Sequence, residues 1–331
     1  MLFKFRTVYH TCVAVFYLFA FFCVSAVTVR AKPIPVKNHS PIWFGLLYPE
    51  PDEAALVEED SPLKISVHED YTSIFLIGSD DSWTFYFDME VSQTTLDFRK
   101  IIAPGLEAGM QQPVFRLGGG FLDKFMLDFH SAFGFPDYEG QREAPRNRFT
   151  YYLNHNGRIW NAPKSETFFL GDTSIWLKKE ISKTSGRTIS FKMIVQPPVS
   201  STSNGLGNGA WEAAAVLLLD LSRGKYDTNF SIGIVEPGYI DRGERLDLNT
   251  FGIAHASTTC KFYERWHFIL QGGAATSPYS ERGIYKLKNS SVTIAFGLRY
   301  TTDGKNEIVV GFLEDLSRTA PDFTIHISAS F

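Results

Sequence analysis

From about residue 60 onward the chain alternates apolar and polar residues with a period of two, so each extended segment has one greasy and one wet face. Over 188–196, Ile189, Phe191, Met193 and Val195 share one face while Ser190, Lys192 and Gln196 share the other, and Ile194 breaks the alternation. Over 290–300, Val292, Ile294, Phe296, Leu298 and Tyr300 stand against Ser291, Thr293 and Arg299. The run 211–222 sets Trp211, Ala213, Ala215, Leu217, Leu219 and Leu221 against Glu212, Asp220 and Ser222. Phe262, Trp266, Phe268 and Leu270 oppose Lys261, Arg265, His267 and Gln271. The pattern predicts an all-β chain whose sheet has one apolar and one polar surface.

Strands are expected near 62–76, 84–100, 105–116, 167–181, 187–198, 210–222, 226–237, 247–257, 261–274, 289–300, 305–315 and 322–331. The last sets Phe323, Ile325, Ile327, Ala329 and Phe331 against Thr324, His326, Ser328 and Ser330. A final strand closed by an aromatic resembles the C-terminal signature of bacterial outer-membrane barrels, which barrel-insertion machinery reads; Phe331 would be that signal. Counting strands from the first puts short turns at 103–105, 182–186, 223–225, 257–260 and 301–304 on one side. Loops at 117–166, 199–209, 238–246 and 275–288 fall on the other and are mostly longer. This asymmetry and an even strand number belong to outer-membrane barrels. The expectation is a transmembrane antiparallel β-barrel over 61–331 with about 12 strands, or 10 or 14 if a strand near 62–100 is merged or split.

The first 31 residues read as an export signal: Lys4 and Arg6 precede an apolar stretch from Cys12 to Val27, with small residues before a cleavage site near Ala31. Its removal would leave Cys260 without a cysteine to pair with, and would take the formal charge from −4 to −7 by losing three cations and no acid. An acidic chain is a poor match for nucleic acid, and 44% hydrophobic residues argue against disorder. The location implied is the outer membrane of a Gram-negative bacterium, with membrane lipid around the barrel.

Residues 32–60 do not alternate. Pro33, Pro35, Pro41, Pro49 and Pro51 with the acidic run 58–60 indicate an irregular periplasmic segment, which either plugs the barrel or lies outside it. The long loop also breaks the pattern: Phe121, Leu122, Phe125, Met126, Phe129 and Phe133 recur at helical spacing, and Phe135-Pro136 ends the run. Asp123 and His130, seven apart on one face of that short helix, are either an acid-base or metal pair or, more blandly, a loop-fixing histidine beside an acid.

The run GGGFLDKFMLDFHSAFGFP, followed by RNRFTYYLNHNG at 146–157 and preceded by NHSPI near 38–42, resembles a family of bacterial outer-membrane proteins known as domain of unknown function 3187. The likeness extends over most of the mature chain and departs at the Gly-rich loop GLGNG over 205–209. It implies location and architecture and transfers no catalytic residue and no cofactor.

The polar face of the alternation places Asp97, Arg99, Glu107, Asp172, Lys192, Glu212, Asp220, Arg265, His267, Arg299 and His326 toward the interior. Acids and bases are mixed, so strong selectivity for one sign of ion is not expected. Eight strands fill with side chains and about sixteen enclose water, and about twelve lie between. Passive or facilitated passage of a small solute is the leading expectation. The alternatives are a structural or surface-binding barrel and an outer-membrane lipid hydrolase, the last without a nucleophile elbow or HExxH motif to support it.

Overall fold

The computed structural model describes residues 32–331 apart from 42, 44, 51–53, 58–62, 135–139, 161, 205, 280–284, 303–305, 318 and 320–322. The expected leader over 1–31 and the helix-ending Phe135-Pro136 lie outside the described residues. Twelve long strands succeed one another: β1 (Leu63–Ser79), β2 (Trp83–Ala103), β3 (Leu106–Gly118), β4 (Ser174–Thr184), β5 (Arg187–Gln196) and β6 (Glu212–Arg223). Then come β7 (Tyr226–Glu236), β8 (Phe251–Tyr263), β9 (Trp266–Ala275), β10 (Ser291–Thr301), β11 (Glu307–Asp315) and β12 (Phe323–Ser330). Each pairs antiparallel with the next, and β12 returns to β1 through eight pairs from Ser66↔Ser330 to Ser73↔Phe323. The sheet is therefore a closed ring, which leaves no free edge to aggregate.

Local chemistry fixes the turns. Gly186 and Gly224 stand at φ 84° and 65° in two-residue hairpins, a left-handed conformation that side chains with a Cβ resist. One expected turn is wrong: 257–260 lies inside β8, and the chain turns at 264–265. Ser257, Thr258 and Thr259 suggest a loop by composition, but Ser257 and Thr259 are buried in the ring, where small polar residues suit the inner face. The strand expected over 167–181 also starts later, at Ser174, after a short strand Phe168–Leu170 paired to the end of β3.

The alternation sorts as expected on the outside. Phe191, Met193, Val195, Ile232, Ile234, Val310 and Ile327 face outward and are exposed. Inside, the polar face expected from the alternation holds over only part of the height. Toward the long-loop end the inner face is apolar, with Ile74, Phe85, Phe87, Met89, Val91, Leu117, Trp176, Ile194, Val216 and Phe251 joined in one cluster. Toward the short-turn end it is polar, with Ser66, His68, Asp97, Ser190, Asn229, Thr259 and Ser328 buried. Ile194 is thus no blemish but part of the apolar half of the interior.

One helix of appreciable length, α1 (Asp123–Phe133), forms in the long loop where the helical spacing lies. It packs against the outer wall rather than into the mouth. Met126 and Leu127 bury against Phe323, and the Phe129 ring meets Phe312 at 5.8 Å and Phe323 at 5.3 Å.

Candidate functional site: the barrel interior and its N-terminal occupant

The described residues among 32–57 lie inside the ring. Ile34 is fully buried beside Gly297 and Gly311, whose missing side chains leave its Cδ1 a notch. Trp43, Leu46, Leu47, Tyr48 and Ala55 join the apolar cluster, and the Trp43 ring meets Phe251 edge-on at 5.2 Å. Burying a large apolar side chain is worth roughly 1.5–3 kcal/mol, so this half of the interior holds the segment chiefly by packing.

Hydrogen bonds from inward polar side chains to its backbone hold it as well. The Leu47 amide donates to Glu212 Oε2 at 2.9 Å, the Leu56 amide to Asp220 Oδ2 at 3.0 Å, and the Ile34 amide to Gln271 Oε1 at 2.8 Å. Lys178 Nζ donates to the Ala54 carbonyl at 3.0 Å and pairs with Glu107 at 2.8 Å. Ser190 Oγ donates to the Ala55 carbonyl, and the Arg299 guanidinium donates to the carbonyls of Lys32 and Pro33. The segment pairs only some of its own backbone groups, as where the Val36 amide donates to the Ile34 carbonyl, so inward polar side chains supply other partners that water would otherwise provide.

A second cluster ties the segment to the seam between first and last strands. His39 Nε2 donates to Gln93 Oε1 at 3.0 Å, and its Nδ1 accepts from Thr72 Oγ1 at 3.1 Å, one neutral tautomer satisfying both. Thr72 meets Thr324 at 2.9 Å across the seam. Next to them His326 Nδ1 bonds Asp70 at 2.7 Å. Burial holds the His39 imidazole down at about 4, against the pull of Asp70. Two interior cavities of about 10 and 20 Å³ each have room for little more than a water.

Of the expected interior residues, Arg99 pairs with Asp97 at 2.6 Å and lies 5.5 Å over the Trp176 ring, while Lys192 lies 4.3 Å over the same ring. Glu107, Glu212, Asp220, Arg299 and His326 face inward with the partners given above. His267 is also inward and buried. Asp172 precedes β4, accepts the Ser200 amide at 2.7 Å and lines an interior cavity with Lys192 and Gln196. One expectation is corrected. Arg265 sits in the β8–β9 turn, reaching Tyr300 Oη at 3.4 Å, because the strand continues past the expected turn.

Asp123 and His130 do not meet in one site. Asp123 accepts the Asn147 amide at 2.6 Å, while buried His130 bonds Glu314 of β11 at 2.9 Å, between helix and wall. No group of three metal-ligating side chains occurs among the described residues. Phe331 is exposed and pairs its backbone with Ile65. Sequence reasoning put Gln271 on the polar face without naming a partner for it, and it missed the interior partners Asp70 and His39. Asp70 lies in period with His68 and Thr72 and was readable from the alternation. His39 and Gln271 act only through contacts distant in sequence.

A closed antiparallel ring, apolar outside and crossed by strands instead of helices, defines a transmembrane β-barrel. Its fold is similar to that of the COG4313 outer membrane channel from Pseudomonas putida F1, with a TM-score of 0.53, 10% identity, and coverage of 83% of this chain and 99% of that one. The NanC porin gives a TM-score of 0.49 at 11% identity, covering 81% and 98% of the two chains. The chain belongs to the family described as protein of unknown function (DUF3187), whose profile matches residues 8–331. Comparison with curated protein sequences returned no match.

Proposed function

We propose that the chain is an outer-membrane channel for a small solute, kept shut by residues 32–57 as an internal plug. In this reading residues 1–31 are the export signal, the short turns face the periplasm, and Phe331 carries the insertion signal. The observation that carries the reading is the set of bonds from Glu212, Asp220, Gln271, Lys178 and Arg299 to the backbone of the segment. Each joins a side chain to a main-chain group, and water can replace it at a net cost of about 0.5–1.5 kcal/mol. A segment held this way can leave the bore and return to it.

The test is single-channel recording in planar bilayers, with folding verified by heat-dependent gel migration. Intact protein should conduct rarely and weakly, whereas protein lacking 32–57 should show stepwise conductance. Silence from a folded, shortened protein would refute the channel. A second reading, a closed barrel that binds partners through its long loop, draws on the aromatic packing of the inner mouth by Trp83, Phe85 and Phe87. That silence would be its supporting result.

A further inference from the structure

Among the described residues, the outward face of β1 and β2 carries a polar patch. The outward positions of β5, β7 and β12 in the belt are aliphatic or aromatic, whereas β2 presents Glu90, Ser92 and Thr94 there in succession. Beside them on β1 is Glu69, an outward carboxylate between inward His68 and Asp70. Glu69 pairs with Ile327 in the middle of the eight pairs joining β1 to β12, so it stands at mid-height of the belt. Ser92 Oγ donates to its Oε1 at 2.6 Å and Thr94 Oγ1 to its Oε2 at 2.5 Å. Glu90, one step higher, is covered: it accepts the Phe121 and Leu122 amides at the start of α1. Glu69 has no such cover and is partly exposed.

A carboxylate facing hydrocarbon at that depth is unfavourable, and such groups as a rule face protein or water. The same surface carries a base. Arg116 points outward from β3, exposed, in register with Ser92 and one outward position above Thr94. It bonds Glu166, itself a half-exposed loop residue. The surface therefore reads acid, two hydroxyls, base across three adjacent strands, with exposed Val67, Ile327 and Met110 around it and the Phe121 ring stacked on Tyr71 above. A surface with an acid on one side and a base on the other is complementary to its own copy rotated by a half turn about the barrel's long direction.

We propose that the β1–β2–β3 outer wall is the contact face of a homodimer, with Ser92 beside the two-fold axis and Glu69 of each protomer meeting Arg116 of the other. This face does not depend on whether the bore conducts. The hydroxyls of Ser92 and Thr94 hold the Glu69 carboxylate aimed along the wall, and the exposed aliphatics close the rim against lipid.

The experiment is cysteine cross-linking of the purified full chain in phospholipid vesicles, in a Cys260→Ser background, with folding checked by heat-dependent migration. Ser92→Cys should give a cross-linked dimer several-fold above Ile232→Cys, which lies exposed on β7 away from the patch. Adding Glu69→Arg or Arg116→Glu singly should lower that yield, and the two together should restore it. Equal yields at 92 and 232, or a yield indifferent to the charge changes in folded protein, would overturn the proposal. A silent channel that still cross-links at 92 would refute the transport reading alone.

Discussion

Glu212 Oε2 accepts the backbone amide of Leu47 at 2.9 Å and the side-chain amide of Gln196 at 2.7 Å, joining the N-terminal segment to two strands in the barrel interior. Both donors are buried. Glu212→Ala is expected to weaken the seat of the segment by about 1–3 kcal/mol, the cost of leaving buried donors unpaired. Limited proteolysis should then cut within 32–57 faster than in the native chain, and Glu212→Gln, which keeps an acceptor, should cut at an intermediate rate.

Acid should loosen the same segment. Burial lowers the pKa of His39 from 6.5 to about 4, so the released segment, with an ordinary imidazole, binds more protons across that interval. The stabilisation is complete above about 6.5 and is lost as pH falls toward about 4, amounting to on the order of 3 kcal/mol. Protease access to 32–57 should rise over that window in native protein. In His39→Gln the rise should be blunted; an unchanged pH profile would assign the effect to other groups.

The notch for Ile34 depends on two glycines. A Cβ at Gly297 would meet Ile34 Cδ1 at 2.7 Å, and one at Gly311 would meet it at 3.1 Å and the Phe296 carbonyl at 2.8 Å. Gly297→Val should expel Ile34 while the ring persists, because the flexible end of Ile34 yields before the strand backbone does. Conductance in bilayers should increase, and the heat-dependent gel shift should remain.

His130→Ala should free α1 from the wall. The histidine is the hydrogen-bonded partner of Glu314, buried under the helix, and leaving that buried carboxyl without its partner costs about 1–3 kcal/mol. Hydrogen exchange over 123–133 should accelerate while exchange in β11 and β12 changes little. His130→Leu combined with Glu314→Leu should restore protection, since apolar residues of similar volume can replace such a pair.

The local pattern of residues carried most of the architecture. Period-two alternation in 188–196, 211–222 and 290–300 named the inward and outward side chains, because in a strand the side of each residue follows from its position alone. Helical spacing in 121–133 named α1 for the same local reason. Turn placement was less secure: Ser257 and Thr259 have the composition of a loop, and only their burial inside the ring made them strand.

What lies against each face had to come from the tertiary structure. The alternation says that Gln271 points inward, but its partner is the Ile34 amide, 237 residues away, and no periodicity encodes that pairing. The same holds for Leu47 with Glu212 and for His130 with Glu314. Hydrogen-bonding capacity is written residue by residue along the chain, whereas the choice of partner follows from ring closure, which brings distant segments into one small interior and excludes water from it.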